Sequence, residues 1–186
     1  MPYAITALFD ERTEEGIHAL RVRLVEAGFG DPASAEVRPH LTLAILPALG
    51  GEALREPLRA WCEATPPLPV DIAAVGTFPT AEGVVFLAPV VTAALLDLHA
   101  QLQAVLKSVG LTGYETYRAD RWVPHVTVGI QFSADAVAGA VLLSCEADVF
   151  GPAGLTRVAV AEFPPLRTVY SFALRGESVT SQTGLG

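Results

Sequence analysis

The sequence predicts an α+β protein made of one duplicated unit, as two lobes related by a pseudo-two-fold axis. Three observations predict it. Segments with strand and helix character follow in the same order twice, as strand–helix–strand–helix–strand. A constant offset of 85 residues carries Pro39-His40 onto Pro124-His125, Thr42 onto Thr127, Phe78-Pro79 onto Phe163-Pro164, Val84 onto Val169 and Gly28 onto Gly113. The composition, 51% hydrophobic and 17% charged over 186 residues, suits a folded chain with a full core and not a disordered one. We expect a single bilobal domain over residues 1–175, with repeats over about 3–82 and 83–175. A polar, Gly-rich tail over 176–186 is expected to be loose.

Each element has a local reason. YAITALF (3–9) mixes β-branched and aromatic residues and predicts a strand. Thr13 is the candidate N-cap of a helix whose apolar face is Ile17, Leu20, Leu24 and Val25, with Gly28 as its C-cap. A strand follows over 36–46, then a helix over 52–65 interrupted or restarted at Pro57. Strands over 70–78 and 83–89 are joined by a turn from Pro79 to Gly83. The second half repeats the order: an amphipathic helix over 92–110 ended by Gly110, and a strand over 122–130. A helix over 133–147 with Ser133 as N-cap is followed by strands over 154–163 and 168–174.

Composition excludes several classes. No run of about 18 apolar residues is present, so neither a membrane span nor a membrane partner is expected. The N-terminus, MPYAITALFDERTEE, has no basic n-region and no small-residue cleavage site, and the expected location is cytoplasmic. Cys62 and Cys145 lie in apolar helical segments and are expected as buried free thiols. No Cys or His pair has zinc-finger spacing, and neither metal nor other cofactor is expected. Twenty Asp and Glu outnumber twelve Lys and Arg, giving a net charge of −8. Proteins that grip long nucleic acid show a basic face or stripe, so no long nucleic acid partner is expected. A small nucleotide or one RNA end in a local basic pocket is compatible with that charge. A monomer is expected.

The chemistry lies in two short strands, Pro39-His40-Leu41-Thr42-Leu43 and Pro124-His125-Val126-Thr127-Val128. Side chains alternate along a strand, so His40 shares a face with Thr42, and His125 with Thr127, while the apolar residues between them face a core. Across a pseudo-dyad the two His-Thr pairs can meet in a cleft. Imidazoles titrate near neutrality, so one can deprotonate water while the other protonates a leaving alkoxide. The Thr hydroxyls can donate to non-bridging phosphate oxygens as charge builds there. No metal is required by that scheme. A duplicated fold could also keep a packing His in both halves, although a core position favours an apolar residue. His18 and His99 have no partner in the repeat and read as structural or surface residues. Phe78 and Phe163 are matched by the repeat, which suits core packing; Phe78 could instead stack on a base.

The paired HxTx motifs in a duplicated α+β chain resemble the two-histidine (2H) phosphoesterase superfamily, whose bacterial members are described as 2′-5′ RNA ligases or RNA 2′,3′-cyclic phosphodiesterases. The resemblance covers about residues 3–174, and the segment from Val75 to Pro89 is similar to the stretch between the motifs in that family. It implies a bilobal structure with two antiparallel sheets flanking a central cleft. It also implies His40 and His125 as acid and base, and Thr42 and Thr127 as phosphate-binding residues. Many members carry a basic residue soon after the second motif, where this chain reads Gly129-Ile130-Gln131. Candidate replacements are Arg38, two positions from His40, and Arg121, in a loop with Tyr117, Arg118 and Trp122 that offers phosphate forks and stacking rings.

The leading expectation is hydrolysis of a cyclic phosphodiester on ribose, either a 2′,3′-cyclic nucleotide or an RNA-terminal 2′,3′-cyclic phosphate. The alternatives are formation or cleavage of 2′-5′ linkages, a non-catalytic module that binds nucleotides or RNA ends, and a structural duplication without a site.

Overall fold

The computed structural model describes residues 2–30, 35–49, 51–163 and 167–176. Pro164 and all but the first residue of the expected tail lie outside the described residues. In chain order the elements are β1 (Tyr3–Phe9), α1 (Glu11–Glu26), β2 (His40–Leu46), α2 (Arg55–Ala64), β3 (Leu68–Thr77), β4 (Val85–Pro89), α3 (Ala93–Ser108), β5 (Val126–Gly129), α4 (Ala134–Cys145), β6 (Gly151–Glu162) and β7 (Arg167–Ala173). A 3-10 turn, Gly51–Leu54, precedes α2, so Pro57 falls in the first turn of the helix proper, where its missing N–H costs no bond.

The strands form an antiparallel sheet in the order β2-β1-β6-β3-β4-β5, with β7 added to β6. The two antiparallel sheets expected from the duplication are its halves, β2-β1-β6 and β5-β4-β3. A ladder of Leu68–Ile72 against Gly151–Leu155 joins them. The last strand of each repeat therefore pairs with the first strand of the other: β6 with β1, and β3 with β4. Pro69 faces Gly154 in the joining ladder, and these positions are 85 apart, so the pseudo-dyad passes between them. The helices also pair across the repeats, α1 with α4 and α2 with α3.

Alternation sorts the motif strands as the sequence predicts. Leu41 and Leu43 of β2 and Val126 and Val128 of β5 enter one buried cluster with Leu95 and Leu102 of α3. Thr42 and Thr127 are half-buried on the other face. Both strands are shorter than expected, because β2 begins after Pro39 and β5 after Pro124-His125; a proline has no N–H for the ladder.

The offset of 85 holds for β2 and β3 against β5 and β6, but α2 would fall on 140–149 where α4 spans Ala134–Cys145, and the offset fails outside this stretch. Gly28, at φ +82°, ends α1, but its equivalent at the end of α3 is Gly110, at φ +73°, and not Gly113. Val84 is buried ahead of β4, whereas Val169 is exposed on β7, a strand without counterpart in the first repeat. The expectation of two buried thiols holds for Cys62 only; Cys145, the last residue of α4, is exposed. Among the described residues no helix is long and apolar enough to cross a membrane.

Ser133 caps α4 as expected, accepting from Ala136 N–H at 3.3 Å. The cap of α1 is Asp10 and not Thr13. Its carboxylate accepts from the Thr13 N–H at 2.9 Å, the Thr13 hydroxyl at 3.0 Å and, across the repeats, the Gly154 N–H at 2.5 Å. Thr13 is drawn into the first turn because Asp10 accepts both of its donors. Burial acts to raise the Asp10 carboxyl, but these hydrogen bonds outweigh it and hold the group below its ordinary value. Its stabilising effect is thus full above the ordinary carboxylate range and is lost as pH falls through the depressed value. Asp10→Ala is expected to cost about 1–2 kcal/mol at pH 7 in urea unfolding. The difference from wild type should shrink as the pH is lowered through the carboxylate range, and a pH-independent difference would contradict this account.

Candidate functional site

The two motif histidines are presented in the same way. His40 Nδ1 lies 2.8 Å from the Arg38 carbonyl and His125 Nδ1 lies 2.7 Å from the Val123 carbonyl, each two residues back along its own chain. A carbonyl only accepts, so in the neutral ring Nδ1 carries the proton and Nε2 keeps its lone pair. Among the described residues Nε2 of neither ring has a protein partner. Burial pulls the His40 imidazole down to about 4, and the charges of Arg21 and His125 add to the effect against the bond to Arg38. Burial also lowers His125, opposed by its bond to Val123. Both shifts favour the neutral imidazole near pH 7.

A cavity of about 610 Å³ opens beside His125 and both motif threonines, while His40 itself is not part of its wall. Its polar wall includes Thr42, Thr127, His125, Tyr117 and Arg121. Phe78 and Phe163 line it, which corrects the expectation of core packing for both. Phe78 meets His125 edge-on at 4.9 Å and Phe86 at 4.6 Å. This cluster needs Gly76, because a Cβ there would lie 2.6 Å from the Phe86 ring. Ile45 and Ile130, again 85 residues apart, also line the cavity. The sequence reading misses this pair, although the offset that matches the histidines would find it.

Two side chains tie the motif strands together. Trp122 Nε1 donates to the Thr42 carbonyl at 2.9 Å, from the second repeat to the first. Arg21 Nη2 donates to the Thr127 carbonyl at 2.6 Å, from the first repeat to the second, and its Nη1 donates to the Val37 carbonyl. Arg21 is 4% exposed and Trp122 8%. Trp122 is held flat by His99, whose ring stacks on it at 4.0 Å. His99 Nε2 lies 3.1 Å from the Leu43 carbonyl, and Gln103 donates to the Leu43 and Tyr117 carbonyls. Sequence reading misses Arg21 because a lone Arg on a helix gives no sign of which strand it will reach. It reads His99 as a structural or surface residue, and the ring is buried in its stack on Trp122.

The predicted site residues divide accordingly. Tyr117 and Arg121 line the cavity. Arg38 does not: Glu14 holds it at 2.8 Å beside α1, and it precedes β2, so strand alternation does not extend to it. Arg118 lies in a separate depression near Glu115 and Asp120. His18 is exposed on α1, with Nδ1 3.1 Å from the Ala35 carbonyl. Among the described residues no three His, Cys, Asp or Glu side chains converge as metal ligands would.

The sequence model of the 2′-5′ RNA ligase superfamily matches residues 9–153. No curated protein matches the chain. Among solved structures, E. coli LigT complexed with 3′-AMP is similar at 18% identity and TM-score 0.63, over 94% of this chain and 99% of that one. TT0787 of Thermus thermophilus is similar at 21% identity and TM-score 0.60, over 96% of this chain and 100% of that one. At these identities the likeness is one of fold.

Trp122→Phe keeps the ring against His99 and removes the N–H that reaches Thr42. Leaving a buried carbonyl unpaired costs about 1–3 kcal/mol, which thermal unfolding should register. A loss below about 0.5 kcal/mol would mean that the bond does not hold the strand.

Proposed function

This chain belongs to the 2′-5′ RNA ligase superfamily, and we propose that it is a phosphoesterase that opens a cyclic phosphodiester on ribose by two-histidine acid–base catalysis. The observation that carries the reading is the paired presentation of His40 and His125, each fixed through Nδ1 by its own chain. One Nε2 accepts a proton from water as the water oxygen bonds to phosphorus. The other ring, as imidazolium, returns a proton to the ribose oxygen as its bond to phosphorus breaks. The product is a phosphomonoester beside a free hydroxyl, and the rings finish with their proton exchanged. Thr42 and Thr127 hydroxyls donate to the non-bridging oxygens. No metal enters these steps. A small-nucleotide substrate is supported by the similar fold of LigT, whose crystal structures hold 3′-AMP and phosphate.

The acid must be charged in a site where both imidazoles are depressed. A bound phosphodiester anion offsets that by favouring the imidazolium.

Turnover of 2′,3′-cyclic nucleotides should persist in EDTA and fall by about 10²- to 10⁴-fold in His40→Ala and in His125→Ala. The double variant should lose little more than the worse single one, because the two groups act in one step. The profile of kcat/KM against pH should be a bell with its optimum below about 6.5, and that of kcat should lie at higher pH. Activity lost in EDTA, or a flat profile across the imidazole range, would overturn the two-histidine mechanism.

A further inference from the structure

The proposed reaction engages one phosphate, and the cavity walls meet the rest of the substrate. All twelve Lys and Arg of the sequence fall among the described residues, so the cationic groups near the site can be counted completely. One of them, Arg121, lines the cavity. Arg21 is nearby but buried, and both its Nη atoms are engaged by the carbonyls of Val37 and Thr127. Arg38 is turned aside to Glu14. Glu82 is the other charged residue on the wall, and its sign repels phosphate.

The remaining surface is largely carbon. Ile45 and Ile130 lie at equivalent positions of the two repeats, and so do Phe78 and Phe163. Ile130 is 46% exposed and Val123 50%, so apolar side chains also form the mouth. On this wall the reacting phosphate has the His125 imidazole, hydroxyls and one guanidinium to meet it. A second phosphate would exchange water for carbon, for a carboxylate or for the neutral hydroxyls of Thr116 and Tyr117, and none of these offsets its charge. The aromatic pair offers flat apolar faces suited to a nucleobase.

Resting on the hydrolase reading, we infer that the site selects a substrate with a single phosphate group: a nucleoside 2′,3′-cyclic phosphate with a free 5′-hydroxyl. Nucleotides with a second phosphate, and RNA chains ending in the cyclic group, are discriminated against. Selection comes from the cavity wall, which offers one guanidinium, Arg121; beyond the His125 ring its other groups are neutral hydroxyls, carbon and the Glu82 carboxylate.

The test compares kcat/KM for adenosine 2′,3′-cyclic phosphate, its 5′-phosphorylated form and a short RNA with the same end, over a range of salt. In parallel, calorimetry measures Kd for adenosine 3′-monophosphate and adenosine 3′,5′-bisphosphate on the same protein. The single-phosphate compound should be preferred by about tenfold or more in both series, and log kcat/KM for the RNA should fall with log salt no more steeply than about −1, the slope for a single phosphate contact. Ile130→Arg should narrow the preference in both series. Equal or better use of the RNA or the bisphosphate, or a slope of several units, overturns the inference. Absence of turnover on every substrate removes the hydrolase reading while the Kd ratio still decides selectivity: tighter monophosphate supports it, and equal or tighter bisphosphate overturns it. Failure to bind either nucleotide overturns both.

Discussion

The carbonyls of Thr42 and Thr127 are held by side chains from opposite repeats, and the geometry of the cleft rests on those bonds. β2 and β5 are the two ends of the sheet order, so each has one side without a neighbouring strand. Trp122 and Arg21 supply donors on those sides. Each bond reaches the residue two positions beyond a motif histidine, so a shift of either strand would move an imidazole with it. Because the donors come from opposite halves, the separation of the two motifs is held from both directions. The packing beneath them, from the His99 stack to the Gln103 bonds, keeps the Trp122 ring in place.

The frame is symmetric and its charge is not. Histidines, threonines, isoleucines and phenylalanines recur at equivalent positions around the pseudo-dyad. The donors that brace them do not match: one is a buried cation, the other a neutral indole. The cation acts on the His40 ring, while burial alone lowers His125. Duplication thus supplies two copies of one imidazole presentation, and divergence of the bracing residues makes their environments unequal.

Much of this is legible in the sequence, for physical reasons that can be stated. Pro39 to Leu43 and Pro124 to Val128 alternate polar and apolar residues, and alternation alone says which side chains share a face. Ser133 stands directly before a helical pattern, and it caps that helix. Thr13 misleads because Asp10, at the end of a strand, lies closer to the helix start and accepts from Thr13 itself. Arg38 misleads because two-residue alternation does not pass the proline where the ladder ends. Phe78 and Phe163 mislead because a repeated aromatic looks the same in a core and on a wall. The strand exchange between repeats and the reach of Arg21 depend on contacts far apart in the chain, and no local pattern encodes them.

The exchange of last strands has a consequence for how the chain could be divided. A cut in the turn between β3 and β4 yields two fragments, each carrying one HxT motif and one strand that belongs in the other's sheet. Neither fragment alone can satisfy the edge of its first strand, whereas together they regain both ladders and the joining pair at Pro69 and Gly154. Fragment complementation is therefore built into the topology. Two copies of a single repeat would meet the same requirement of each other, with a true two-fold axis in place of the approximate one.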